Sequence, residues 1–145
     1  MGFFDSFKKV TGAKSAEPLQ APTPKKVLVV EDEEDLRTFY KDLLAAEGFL
    51  VLEASNGQEG LDTAAAQKPD VIILDLMMPV MDGKTMLRKL RQIHGFESLP
   101  VIVLTNAGTA DNMRETQLYD KACAFLIKAN VNPPDIIDRV KALTR

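Results

Sequence analysis

Five short apolar runs, separated by stretches of helical periodicity, constrain the fold more than any other feature of this chain. KVLVV (26–30), FLVLEA (49–54), VIILD (71–75), PVIVL (100–104) and CAFLI (123–127) have strand length, and several lack the polar alternation of a strand with one wet face. Between the first two, Leu36, Phe39, Tyr40, Leu43 and Leu44 recur at the spacing of one helical face, and Gly48 is placed to end that helix as a left-handed cap. Leu61, Ala64 and Ala65 mark a second helix, and Met86, Leu87, Leu90 and Ile93 a third. Ile136, Ile137, Val140 and Leu143 mark a last one, opened by Asn132 as an amide cap and then Pro133. Residues 111–120 are expected to be helical too, with the thin apolar face of elements that move or bind. Such alternation requires a parallel sheet covered on both sides, because right-handed crossovers place helices on its faces. The expected class is α/β, a doubly wound, five-stranded parallel sheet.

In such a sheet the functional site lies beyond the carboxyl ends of the strands. Glu31 and Asp32 stand there after VLVV, Asp75 after VIIL, Thr105 after VIVL and Lys128 after FLI. A carboxylate at the end of a buried run is costly unless something positive meets it. Two carboxylates about 4 Å apart repel by roughly 4 kcal/mol at an effective dielectric near 20, so three of them require a cation. Oxygen-only ligands point to a hard ion, and Mg²⁺ suits best because it takes few carboxylates and keeps several waters. The acids lack the spacing of a calcium loop. Glu33, Glu34 and Asp35, which follow at once, read as a solvated helix start.

Composition sets the limits of this unit. At 145 residues with 46% hydrophobic side chains, the chain can build one core and has no room for a second folded domain. Between Thr11 and Lys26 the sequence holds three prolines and almost no large apolar residue, so residues 1–25 read as a flexible tail and linker and 26–145 as the domain. Residues 27–145 carry 13 basic and 19 acidic residues, a net of −6, which disfavours nucleic-acid binding. The single cysteine, Cys123, excludes an intrachain disulfide and reads as a small core residue. No run approaches the roughly 18 to 20 apolar residues of a membrane span, and no signal core is visible, so a cytoplasmic setting is expected. MGFFDSFKKV places Phe3, Phe4, Phe7 and Val10 near one helical face beside Lys8 and Lys9, a composition that suits docking on a membrane or a partner. So short a helix is marginal alone, and disorder is the favoured expectation. Gly2 and Ser6 fit a myristoylation pattern by coincidence. His94, alone in a loop-like stretch, is given no role.

The constellation resembles the receiver domain of bacterial response regulators over residues 26–145. In that family an acidic pair after the first strand holds Mg²⁺, an Asp after the third takes a phosphoryl group, and a Thr or Ser and a Lys after the fourth and fifth contact it. Those positions match Glu31 with Asp32, Asp75, Thr105 and Lys128, spaced 43 residues from Asp32 to Asp75 and 30 from Asp75 to Thr105. The resemblance implies a flavodoxin-like fold with strand order 2-1-3-4-5. It also implies a backbone-carbonyl metal ligand at Met77, and an aromatic switch position at Phe125 acting with Thr105. MMPVMDG fits the loop after the acceptor, with Pro79 and Gly83 shaping the turn into the next helix. By resemblance the chain is a phosphoacceptor signalling domain that catalyses only its own phosphorylation and dephosphorylation. Its donor would be a histidine kinase or phosphotransfer protein, and its output a downstream protein bound by the face of residues 111–145. With the chain ending two residues after Leu143, no output domain is expected.

Two positions depart from the family pattern. Ala129 follows Lys128 where the family usually has a cis proline, and a cis bond before a non-proline residue costs about 2.5 to 4 kcal/mol, so a trans bond and a different loop are expected. Asn106 replaces the small residue common after the Thr, where it would narrow access to the phosphoryl group or hydrogen-bond to it. Phe125 equally suits the sheet core. Three other readings compete. An Asp-nucleophile phosphatase needs a second acid two residues after the first, where Met77 stands, and a flavin or nucleotide site needs a phosphate loop where this chain has acids. The third is a degenerate receiver acting as a phosphorylation-independent binding module, suggested by Ala129 and Asn106.

Overall fold

The computed structural model describes residues 23–119, 121–122 and 124–145. The N-terminal stretch of Phe3, Phe4, Phe7 and Val10 and the lone Cys123 lie outside them. Strands β1 (Lys26–Val30), β2 (Leu50–Ala54), β3 (Val71–Leu74), β4 (Val101–Thr105) and β5 (Ala124–Ile127) alternate with helices α1 (Glu34–Ala45), α2 (Gly57–Gln67), α3 (Gly83–Arg91), α4 (Ala110–Arg114) and α5 (Pro133–Leu143). All neighbouring strands pair in parallel, in the order β2-β1-β3-β4-β5. The central strands β3 and β4 are buried at every residue, which is why their sequences are continuous apolar runs.

Successive side chains of a strand point to opposite faces, and the core divides accordingly. Leu28, Val30, Ile72 and Leu74 pack with Leu61, Ala64, Met86, Leu87 and Leu90 of α2 and α3. Val27, Val29, Val71 and Ile73 pack with Tyr40, Leu44, Ile136 and Val140 of α1 and α5. The ends of the elements are set locally. Gly48 adopts φ +93°, its N–H bonds to the Ala45 carbonyl at 3.0 Å, and the Phe49 N–H bonds to the Leu44 carbonyl at 3.3 Å, the paired bonds of a Schellman cap. Asp82 caps α3 by accepting the Thr85 N–H at 2.8 Å.

Four local expectations are corrected. Phe39 is 47% exposed, because it lies about 120° round α1 from the midpoint of the buried pair Tyr40 and Leu44. Ala65 is exposed, and α2 instead buries Gly57 and Gly60. A Cβ at Gly60 would stand 2.8 Å from the sulfur of Met86, so the absence of a side chain lets α2 approach α3. Asn132 occupies the cap position of α5 without a side-chain capping bond. Pro133 and Pro134 lack N–H groups, and the next donor, Asp135, bonds to the Asn132 backbone carbonyl at 3.0 Å. Finally, the helix after β4 is not uniform: α4 runs on into a π-helical turn, Glu115–Tyr119. The apolar face of α4 is as thin as its sequence suggests, since α4 itself buries no residue.

Candidate functional site

Glu31, Asp75 and Lys128 are placed by extension of the sheet ladder beyond a strand end, while Thr105 is the last residue of β4. The Glu31 N–H bonds to Ala54 at 3.0 Å, the Asp75 N–H to Val30 at 3.1 Å and the Lys128 N–H to Thr105 at 3.0 Å, all at backbone carbonyls. These bonds fix the starting points of Glu31, Asp75 and Lys128 to neighbouring strands. A further anchor is Arg37, which donates from Nη1 to the Glu31 carbonyl at 2.8 Å and pairs through Nε with Glu53 at 3.4 Å. Gly83 braces the same end of the sheet: a Cβ there would meet the Asp75 carbonyl oxygen at 2.2 Å.

Around these starting points lies an open cavity of about 530 Å³. Glu31, Asp32, Asp75, Met77, Thr105 and Lys128 all border it, as do Asn106 and Ala107. Phe125 does not; it is half-buried against the core layer of α2 and α3. Glu31, Asp75 and Thr105 are buried at 2%, 6% and 0% exposure, whereas Asp32 is exposed. The Lys128 ammonium joins the two buried acids, donating to Glu31 Oε1 and, at 3.1 Å, to Asp75 Oδ2. Asp75 Oδ1 accepts the Met77 N–H at 3.3 Å, and Glu31 Oε2 accepts the Glu33 N–H at 3.2 Å. Thr105 Oγ1 accepts the Ala107 N–H at 3.1 Å, an arrangement that leaves the hydroxyl proton to be donated elsewhere.

The electrostatics follow from burial and pairing. Burial pushes the Glu31 carboxyl above its usual value, and the Lys128 hydrogen bond only partly opposes this. Burial by itself would lower Lys128, but the Glu31 hydrogen bond and the Asp75 and Glu31 charges outweigh it and raise the ammonium. Lys128 is therefore a fixed cation at neutral pH. One carboxylate oxygen from each of Glu31, Asp32 and Asp75 lies within 4.8 Å of the others. At that separation each pair repels by about 3.5 kcal/mol at an effective dielectric near 20. Three ionised acids against one ammonium leave a net −2, which one divalent cation balances, and the donors offered are all hard oxygens. The residues present thus fit Mg²⁺.

Three features of the site were not visible as such in the sequence. Arg37 and the close approach of Gly83 to Asp75 act through backbone atoms and carry no motif of their own. Asn106 is the third. Its Oδ1 accepts the N–H of Ala129 at 3.1 Å, joining the two positions at which the sequence departs from the receiver pattern. Among the described residues no peptide bond is cis, so Lys128–Ala129 is trans, as expected for alanine. His94 is fully exposed and contacts Glu97 at 3.5 Å.

The sheet order and the acids, hydroxyl and amine at one end of it are those the resemblance implies, and the family model of the response regulator receiver domain matches residues 27–141. The chain belongs to the response regulator receiver family. This receiver is 37% identical over 119 residues to the transcriptional regulatory protein SrrA of Staphylococcus aureus, an alignment covering 82% of the chain and 47% of SrrA. The chain thus spans about half the length of the curated relatives it matches. Among solved structures it is similar to the chemotaxis protein CheY4 of Vibrio cholerae, with a TM-score of 0.77 at 28% identity, covering 83% of this chain and 99% of that one. It is also similar to the BeF3-activated N-terminal receiver domain of Klebsiella pneumoniae RstA, with a TM-score of 0.73 at 28% identity and coverage of 83% and 99%. Among the described residues of this receiver, no helix is long and apolar enough to cross a membrane.

Proposed function

We propose that this receiver accepts a phosphoryl group onto Asp75 from the phosphohistidine of a histidine kinase or phosphotransfer protein, in a Mg²⁺-dependent reaction. The observation that carries this reading is the Lys128 ammonium hydrogen-bonded to both Glu31 and Asp75 beside Asp32 in one open cavity. An oxygen of Asp75 attacks phosphorus. The new P–O bond forms as the P–N bond breaks; the P–N electron pair stays on the histidine nitrogen, and the proton carried by the ring's other nitrogen makes the leaving group a neutral imidazole. Such transfer depends on positioning and charge neutralisation more than on covalent chemistry. Lys128 holds the Asp75 carboxylate through Oδ2 and stays beside the incoming phosphoryl oxygens. Thr105 turns its hydroxyl proton toward them. Mg²⁺, held by Glu31, Asp32, Asp75 and the Met77 carbonyl, would neutralise charge on both the acids and the phosphoryl group.

Signalling then passes from Thr105 to the Phe125 side chain and the face built from α4, β5 and α5, which engages a downstream protein. In this role the chain catalyses only its own phosphorylation and dephosphorylation, and the functional unit is residues 26–145 with 1–25 as its tail. No specific observation favours a phosphorylation-independent module: Lys128 reaches Asp75 with Ala129 in place and the bond trans. Beryllium fluoride, a phosphoryl mimic, tests the reading by fluorine and amide NMR. A complex should form at Asp75 only with Mg²⁺ present, with amide shifts at Thr105, Phe125 and α4. Failure of the folded, Mg²⁺-supplied chain to bind it would overturn the proposal.

A further inference from the structure

Two successive bonds fasten the loop after β5 to the end of β4. The Lys128 N–H donates to the Thr105 carbonyl at 3.0 Å, and the Ala129 N–H donates to Asn106 Oδ1 at 3.1 Å. The first is the sheet ladder itself. The second continues it by one rung through a side chain, and it exists only because residue 129 has an N–H to give and residue 106 has an acceptor. The residue that follows Asn106 is anchored on both sides. The Ala107 N–H bonds to Thr105 Oγ1 at 3.1 Å, and the Ala107 carbonyl accepts Asn112 Nδ2 of α4 at 2.8 Å.

We propose that Asn106 is a positioning residue for Lys128, acting through the Ala129 peptide and not by touching the phosphoryl group. The inference rests on the phosphoacceptor reading. Lys128 leaves the sheet at β5, yet its ammonium works against Asp75 after β3 and Glu31 after β1. Strands lie about 4.8 Å apart, so the gap of roughly two strand spacings between Lys128 and Asp75 is closed only by both side chains and the hydrogen bond between them, with little slack. A shift of the Lys128–Ala129 peptide would therefore pass directly to the ammonium. The Thr105 bond fixes the peptide group before Lys128, and the Asn106 bond fixes the one after it. One clip thereby ties together Thr105 and Lys128, the two residues assigned to the phosphoryl oxygens.

The test uses the full chain, first without phosphodonor. Asn106→Ala should speed hydrogen exchange at the Ala129 amide by about fivefold, the loss of one net hydrogen bond, and should move the Lys128 ζ-nitrogen resonance. Asn106→Asp keeps an oxygen acceptor and should restore Ala129 protection. With Mg²⁺ and acetyl phosphate, labelling of Asn106→Ala should slow by roughly five- to tenfold. In an Ala129→Pro background, which has no N–H to bind, the same substitution should have no further effect. Equal slowing in both backgrounds, or an unmoved Lys128 resonance in Asn106→Ala, would overturn the proposal in favour of direct contact with the phosphoryl group. If Ala129→Pro does not fold, the resonance and exchange measurements still decide. A wild-type chain that never labels, while Asn106→Ala still moves Lys128, would sink the phosphoacceptor reading and leave the positioning role standing.

Discussion

Replacing Lys128 by alanine should destabilise the domain by an amount that depends on pH, and that dependence is the informative part. The substitution removes the ammonium hydrogen-bonded to two acids of only 2% and 6% exposure, Glu31 and Asp75. Their carboxylates, within 4.8 Å of each other, then repel by about 3.5 kcal/mol at an effective dielectric near 20. Removing one partner of a buried ion pair costs about 3 to 5 kcal/mol, but protonation sets a ceiling here. A carboxyl of ordinary pKa about 4.3 is protonated at pH 7 at a cost of about 3.7 kcal/mol, so no single acid can cost more. The cavity is open and Lys128 is itself 12% exposed, which brings the expected loss to about 2 to 3 kcal/mol at pH 7. Burial already raises the folded pKa of Glu31 above its unfolded value, and losing Lys128 raises it further. Stability from a group with a raised folded pKa is fully present below the unfolded pKa and is lost as pH rises through the folded one. The penalty should therefore grow from under about 1 kcal/mol at pH 5 to its full size at pH 7. Urea unfolding of wild type and Lys128→Ala at both pH values, with a chelator, measures it. Repeating the pH 7 pair in Mg²⁺ should narrow the gap. An equal penalty at both pH values, unmoved by Mg²⁺, would refute the charge argument and leave only lost packing.

Two further substitutions probe how the backbone presents Asp75 and α3. Gly83→Ala puts a methyl group 2.2 Å from the Asp75 carbonyl oxygen and 2.8 Å from the Leu76 Cα, so the backbone must move by roughly 1 Å. The expected result is a loss of about 1 to 3 kcal/mol in urea unfolding and acetyl phosphate labelling slowed by about a hundredfold. Labelling at the wild-type rate would show that Gly83 does not set the position of Asp75. Asp82→Ala removes the cap of α3 and should cost about 1 kcal/mol at neutral pH, with Asp82→Asn, which keeps the acceptor but loses the charge, falling between the two. The Thr85 N–H holds the Asp82 carboxyl below its ordinary value, so its contribution is present above the usual carboxylate range and lost as pH falls through the lower folded pKa. Unfolding curves of wild type and Asp82→Ala should converge in acid, and a constant difference would mean that charge has no part in the cap.

The sheet was legible because each central strand is buried on both faces, and a run such as VIIL has no room for a polar residue. The convergence of Glu31, Asp75 and Lys128 was legible for a related reason. Glu31, Asp75 and Lys128 are charged residues directly abutting apolar runs, which makes sense only at the carboxyl end of a parallel sheet. Chain geometry that depends on neighbours was not legible. The apolar stripe of α1 is wider than the groove it fills, so Phe39 falls outside it while Tyr40 and Leu44 are buried. Nothing in ETQLY marks a π-helical turn, in which the Thr116 hydroxyl is fully buried and donates to the Asn112 carbonyl at 2.8 Å. Asn106 and Ala129 stood out singly, but a bond between residues 23 apart in sequence is a product of the finished fold.

The central claim, that Asp75 is the phosphoacceptor, is tested most directly by incubating the full chain with Mg²⁺ and acetyl phosphate and locating the label. Borohydride reduction of the acyl phosphate, followed by peptide mass spectrometry, reads the modified residue. The expected result is one phosphoryl group per chain on Asp75, absent from Asp75→Asn and absent when a chelator removes the metal. Label on another residue, full labelling of Asp75→Asn, or no label on a folded, Mg²⁺-supplied chain would contradict the account.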